Sequence, residues 1–172
     1  RFIWKEEGIS SVEAALILPV LLMFLIGIYE IGMGVSSNQK TIRASQIAAD
    51  LLSRERIVTD HDVSEAFEAA RQAILPLDDS NLGIDVVSVE FGEDGAGNET
   101  VNSLWRETQN MSEDSSILTD MSGLGDRGEG ALGVVVTYRY DPLFSSGIFE
   151  TIEMREVAFV RSRKSSIIIR QN

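Results

Sequence analysis

Residues 14–35 read AALILPVLLMFLIGIYEIGMGV, a run interrupted only by Pro19 and Glu30. As an α-helix rising 1.5 Å per residue, this run spans about 33 Å, close to the thickness of a bilayer hydrocarbon core. Twelve of its residues are Leu, Ile, Val or Phe. Each favours insertion by about 0.3–0.6 kcal/mol, and their sum exceeds the cost of about 2.5–3.5 kcal/mol for the off-centre Glu30. The run therefore predicts one transmembrane helix.

A cleaved secretory signal peptide is the alternative interpretation of this run, with Lys5 as its charged flank. The run is longer than the usual signal core of about 7–15 residues, and no small-x-small cleavage site closes it. Helical spacing also continues beyond it, at Ile42, Ala49 and Leu52. These features favour an anchor that stays on the protein, within one long helix over about residues 10–56.

Charge is unevenly distributed along the 172 residues, whose formal net charge is −12. Residues 1–49 sum to zero, so the negative charge lies in residues 50–172. Such a surface repels phosphate backbones, which argues against nucleic-acid binding. The chain has no Cys, and His61 is its single histidine. Thiol catalysis and thiolate metal sites are therefore excluded, and no metal or cofactor is predicted.

The remainder of the chain predicts a helix followed by a sheet. Thr59 to Asp62 form a capping-type helix start, and Pro76 stops that helix. Alternating apolar and polar residues predict strands at 84–91, 99–109, 132–140 and 153–163, with 167–169 extending the sheet. Gly-containing connectors without long helices favour antiparallel pairing. The predicted fold class is α+β: a long transmembrane helix continuing into an amphipathic helix, a second helix, and an antiparallel sheet of about four strands.

The start of the chain resembles a known family. Residues 8–13, GISSVE, match the Gly-x4-Glu processing site of type IV prepilins. Residues 8–46 resemble the TadE/TadG-like pseudopilins of tight-adherence (Tad) pilus systems, including the Leu18-Pro19 step and the segment 27–32. The resemblance covers about the first quarter of the chain.

This resemblance implies a bacterial inner-membrane protein with a leader (residues 1–8), an N-terminal helical segment (9–56) and an extracytoplasmic α+β domain (57–172). It also implies that a prepilin peptidase cuts between Gly8 and Ile9. The implied partners are other pilins or pseudopilins, the Tad inner-membrane platform and that peptidase. Glu6 and Glu7 depart from the family's pattern, since basic residues are common at those positions.

Two acids of the helix are the remaining candidate site residues. By the resemblance, Glu13 pairs with the free α-amine of Ile9 in a neighbouring subunit; the alternative is that it lies in the headgroup layer. Glu30 follows 17 residues later, about 25 Å along the helix and about 100° around it, so the two acids cannot serve one site. Glu30 is expected either to pair with a partner helix or to reach the outer membrane interface.

Together these features predict a non-enzymatic pseudopilin or minor pilin that acts in assembly of a Tad-type pilus for adhesion and surface colonisation. Its N-terminus is predicted to be cytoplasmic and its C-terminal domain periplasmic or carried into the extracellular pilus. The serine-nucleophile, phosphate-loop and histidine-based metal motifs are missing, so no catalytic residue is assigned. The alternative function is a membrane-anchored periplasmic binding or sensor domain that belongs to no pilus.

Overall fold

The computed structural model describes residues 7–143, 150–161 and 167–171, with side chains from residue 11 onward. In chain order its main elements are α1 (Glu7–Ser53), β1 (Ile57–Val58), α2 (Asp60–Ile74), β2 (Leu82–Glu93), β3 (Glu99–Gln109), α3 (Ile117–Asp120), β4 (Gly130–Tyr140), β5 (Ile152–Val160) and β6 (Ile169–Arg170). The predicted α+β class, with a long apolar helix and an antiparallel four-stranded sheet, is confirmed.

The long helix α1 runs for 47 residues without a break, and Pro19 lies inside it. Every side chain from Ser11 to Leu25 is exposed. This part of the helix is long and apolar enough to cross a membrane, and its most apolar window has no buried residue. A lipid environment accounts for such an arrangement, because water would not solvate so large an apolar surface.

The second half of α1 is a core element of the domain, packed against α2, β4 and β5. Small residues allow these elements to approach closely: Ala44, Ala48 and Ala49 are fully buried. Two buried hydroxyls, those of Ser37 and Thr41, each donate a hydrogen bond of 2.9 Å to a carbonyl one turn earlier in the helix. The polar residues on this face therefore cost little, because their hydroxyls are satisfied within the helix.

The start of α2 confirms the predicted capping residues. The Thr59 hydroxyl accepts a hydrogen bond from the Asp62 amide, and the Asp62 carboxylate accepts one from the Thr59 amide at 2.8 Å. This reciprocal pair satisfies two amides that the first turn would otherwise leave free. The helix ends at Ile74, just before Pro76, and its buried stripe covers one side of the sheet's core: Val63, Ala66, Phe67, Ala70 and Ile74.

The four long strands form an antiparallel sheet in the order β3-β2-β4-β5. The predicted strand at 99–109 agrees with β3, and the other three long strands lie within a few residues of their predicted bounds. The predicted strand 153–163 ends at Val160, and its last two positions lie outside the described residues.

The prediction that residues 167–169 extend this sheet is wrong. Strand β6 instead pairs in parallel with β1, with Ile57 opposite Ile169, in a separate two-stranded sheet. The physical reason lies in the carbonyl of Ile168, which accepts hydrogen bonds from the Ser88 hydroxyl at 2.8 Å and the Trp105 indole at 2.9 Å. These two donors hold the C-terminal segment across the face of the large sheet rather than along its edge.

The opposite face of the sheet is covered by the segment that contains α3, and a buried ion pair fixes that segment in place. The Asp85 carboxylate, fully buried in β2, accepts hydrogen bonds from Arg106 Nε at 2.9 Å and from the Asp114 amide at 2.8 Å. Asp114 in turn binds Arg155 of β5, and this guanidinium holds the pKa of the Asp114 carboxyl well below its usual range. Through Asp114, the segment is thus bonded to β2, to β3 and to β5.

Candidate functional site

The candidate site residues all lie on α1. Gly8 and Ile9, the expected processing site, occupy its first turn and have helical backbone. Glu13 follows five residues after Gly8, about 7.5 Å along the axis. Glu30 lies about 25 Å farther on. The structure therefore brings Glu13 and Glu30 no closer together than the sequence predicts for one straight helix.

Glu13 is exposed on the part of the helix that the domain does not touch. Within the described side chains, no hydrogen bond or ion pair joins its carboxylate. A carboxylate at the edge of a hydrocarbon layer is costly unless it is paired or reaches water. Glu13 therefore has neither burial nor a partner among the described side chains to offset that cost.

Glu30 is in a different environment, because the domain covers it. Only 4% of its surface is exposed. The Tyr140 hydroxyl at the end of β4 donates a hydrogen bond of 2.8 Å to Glu30 Oε2. The structure thus gives Glu30 a partner within its own chain, 110 residues away in sequence. This bond fixes the end of β4 beside one turn of the helix.

The electrostatics of this pair keep the phenol protonated. Burial, followed by the hydrogen bond to the Glu30 carboxylate, raises the pKa of Tyr140 to about 12. A group that is deprotonated only well above neutral pH remains a donor at physiological pH. The Tyr140 hydroxyl therefore remains a hydrogen-bond donor at neutral pH.

Replacing Tyr140 by Phe is expected to lower the free energy of unfolding by about 1.5–3 kcal/mol, because a buried carboxylate loses a hydrogen-bond donor. Chemical unfolding of the detergent-solubilised protein, followed by tryptophan fluorescence, measures the change. Tyr29→Phe is the matched control, since Tyr29 is about half exposed and its hydroxyl should contribute within about 0.5 kcal/mol. Equal effects of the two substitutions would contradict the buried role of Tyr140.

A groove of about 660 Å³ opens beside this pair, between α1 and the ends of β4 and β5. Its helix side includes Ile31, Gly34 and Val35 together with the polar Asn38 and Gln39. Its domain side includes Pro142, Ile152 and Met154. A Cβ atom at position 34 would meet no atom within 4 Å, so the space beside Gly34 is open. The groove is mostly apolar.

His61, Asp62 and Glu65 form a cluster whose ligand atoms all lie within 4.8 Å of one another. His61 and Glu65 are exposed on the helix surface. The Asp62 carboxylate is already used in the helix cap, where hydrogen bonds from Thr59 lower its pKa. Charged side chains one turn apart commonly face each other on helix surfaces without binding an ion. We therefore assign no metal to this cluster.

Sequence reasoning did not identify Tyr140 as the partner of Glu30. The signal was present, since a buried acid requires a donor and Tyr140 ends the most apolar strand. The sequence does not show that two residues 110 positions apart are close together in the folded chain. The Asp85–Arg106 pair was missed for the same reason, because the segment that covers Asp85 is distant in sequence.

Comparison with known proteins gives one positive finding. Residues 8–50 match the sequence model of the family described as TadE-like protein. The match covers a quarter of the chain and includes Gly8, Ile9, Glu13 and Glu30, whereas β1 to β6 lie outside it. No curated protein and no solved structure matches the chain. The N-terminal segment is thus similar to TadE-like proteins, and together with its membrane-length helix this similarity supports a single-pass membrane protein associated with Tad pili.

Proposed function

We propose that this chain, with its TadE-like N-terminal segment, is a pseudopilin or minor pilin that acts in assembly of a Tad-type pilus. Its role is structural rather than catalytic. The helix α1 anchors it in the bacterial inner membrane, with its N-terminus in the cytoplasm and its acidic domain in the periplasm. Adhesion and surface colonisation follow from the pilus that it helps to build.

The observation that carries the proposal is the contrast between the two acids of α1. Glu30 is buried and has a partner in its own chain. Glu13 is exposed on the free part of the helix, and among the described side chains none forms a hydrogen bond or ion pair with its carboxylate. An acid in an apolar helix that has no partner among the described side chains is suited to contact another subunit, because pairing removes the cost of placing it near lipid.

Three kinds of partner follow from this role. A prepilin peptidase would cut between Gly8 and Ile9, which exposes a positive α-amine at Ile9. That amine, on a neighbouring pilin or pseudopilin, would meet Glu13 as the helices pack. The Tad inner-membrane platform would hold the subunits while they assemble. A charge-assisted hydrogen bond of this kind is stronger than a neutral one, so it would also fix the register between helices.

Processing at Gly8–Ile9 is tested on the protein extracted from the membranes of its own host. We expect Edman sequencing to give Ile9 as the first residue, and intact mass to fall by the mass of the leader. A strain that lacks the prepilin peptidase is the control and should retain the leader. A native N-terminus ahead of Gly8, unchanged by loss of the peptidase, would contradict the processing step.

The assembly role is tested separately, by deleting the gene and counting surface pili by electron microscopy. We expect pili to be lost or strongly reduced, and to return when the wild-type gene is supplied in trans. A deletion strain with normal pili would rule out the assembly role and favour a membrane-anchored binding or sensor domain.

A further inference from the structure

The part of α1 between Glu13 and Glu30, which precedes the first helix residue that the domain buries, is shorter than the hydrocarbon core of a membrane. Glu13 and Glu30 are separated by about 25 Å of helix, whereas a hydrocarbon core is about 30 Å thick. Beyond Glu30 the helix continues with two exposed apolar side chains, Ile31 at 65% and Val35 at 55%. Including them extends the apolar length to about 33 Å. The outer boundary of the hydrocarbon therefore falls beyond Glu30, close to Val35.

The domain is already present at that level of the helix. The bond between Tyr140 and Glu30 holds the end of β4 beside the helix. Pro142 lies two residues after Tyr140. Both residues line the groove, as do Ile31 and Val35 of α1. A boundary near Val35 thus places the lower edge of the domain within the membrane surface rather than above it.

Two exposed residues at this lower edge are large and apolar, and they lie beside the exposed acids Asp141 and Glu153. Leu143, next to Pro142, is 73% exposed, and Ile152 on the domain side of the groove is 48% exposed. Together with Ile31 and Val35 they form what we call the basal patch, which borders the buried Pro142. In water this patch would be an unfavourable apolar surface, whereas contact with acyl chains removes it from water.

Glu30, which is buried at this level of the helix, is compatible with that depth. The Glu30 carboxylate accepts the Tyr140 hydrogen bond, so it enters the low-dielectric region with a donor already in place. A polar group near hydrocarbon is tolerated when it is satisfied inside the protein. The pair therefore allows the domain to approach the acyl chains closely.

We propose that the basal patch is immersed at the acyl-chain boundary of the membrane and that phospholipid acyl chains occupy the groove between α1 and the ends of β4 and β5. The patch is continuous with the lipid-exposed face of α1, which is the argument for lipid as the occupant. A second copy of the domain is disfavoured, because the net charge of −12 lies in residues 50–172 and would repel its like.

The absence of Cys from the chain makes this proposal directly testable. Leu143→Cys and Ile152→Cys, each labelled with the environment-sensitive fluorophore NBD, report on the basal patch in the full-length protein. Both residues are exposed, so labelling does not disturb the core. Leu75→Cys is the matched control, since Leu75 is 58% exposed but its carbonyl accepts a hydrogen bond from Lys40, about 15 Å beyond Glu30 along the helix.

The labelled proteins are reconstituted into vesicles of phosphatidylethanolamine and phosphatidylglycerol, with and without doxyl groups on the acyl chains. We expect blue-shifted emission and several-fold stronger doxyl quenching at positions 143 and 152 than at position 75. Equal quenching at all three positions would overturn the proposal. So would a blue shift that appears only at high protein-to-lipid ratio without doxyl quenching, because a second copy would then cover the patch.

Discussion

Replacing Glu13 by Leu should abolish surface pili while the protein remains folded and membrane-bound. The substitution removes an acid from the free part of α1 and so makes membrane insertion of the helix more favourable. The gain would be about 2.5–3.5 kcal/mol at the centre of a transmembrane helix and is smaller at position 13, near its end. Folding should not change, since no described side chain of the domain contacts Glu13. What is lost is the carboxylate that we propose pairs with Ile9 of another subunit.

Three variants separate this role from general effects of charge. Glu13→Asp keeps the carboxylate and should retain part of the piliation, whereas Glu13→Gln keeps the size and should not. Glu65→Leu removes an acid that is 68% exposed on α2, and it should leave pili unchanged. Pili are counted by electron microscopy, and membrane fractions are probed for the protein. Normal pili with Glu13→Leu would favour a plain anchored domain.

The second large effect is expected at Asp85. Replacing Asp85 by Leu should lower the free energy of unfolding by about 3–5 kcal/mol, because it leaves the charge of Arg106 buried without its main partner. The Arg106 side chain is only 14% exposed, and the neighbouring carboxylate raises its pKa. Such a loss is a large share of the stability of an ordinary domain, which is about 5–15 kcal/mol.

A double variant shows whether the cost comes from the unpaired charge. Asp85→Leu combined with Arg106→Met removes both charges, and it should recover much of the lost stability. Glu93→Ala is the matched control: it breaks an exposed pair with Arg127, at 3.2 Å, and should cost at most about 1 kcal/mol. Urea unfolding in detergent micelles measures all variants. An Asp85→Leu variant as stable as Glu93→Ala would contradict the structural role of the buried pair.

The elements that the sequence predicted correctly are those with a local cause. Thr59 and Asp62 cap a helix within one turn, and the spacing of apolar residues in α1 is a property of the helix itself. The hairpin strand at 99–109 is bounded by a loop whose Asp94 accepts amide hydrogen bonds from Ala96 and Asn98. Each of these features depends on neighbours a few residues away, so it can be predicted from the sequence alone.

The features that sequence could not provide depend on distant segments. Asp85 alternates with apolar residues in β2, which is the pattern of a solvent-facing position, but residues 111–121 cover it. Tyr140 meets Glu30 only because β4 ends beside α1. The apolar residues at 167–169 read as a sheet strand, but hydrogen bonds to Ser88 and Trp105 direct them elsewhere. Long-range polar contacts of this kind produce no repeating pattern in the sequence from which they could be predicted.

The continuity of α1 from Glu7 to Ser53 has a mechanical consequence. The helix has no joint between the part that crosses the membrane and the part that completes the domain core, where Ala48 and Leu52 are buried. A pull on the domain is therefore borne by the helix axis itself, and a twist of the helix turns the whole sheet with it. Between its membrane-crossing part and the domain, α1 has no loop that could take up such a force or torque.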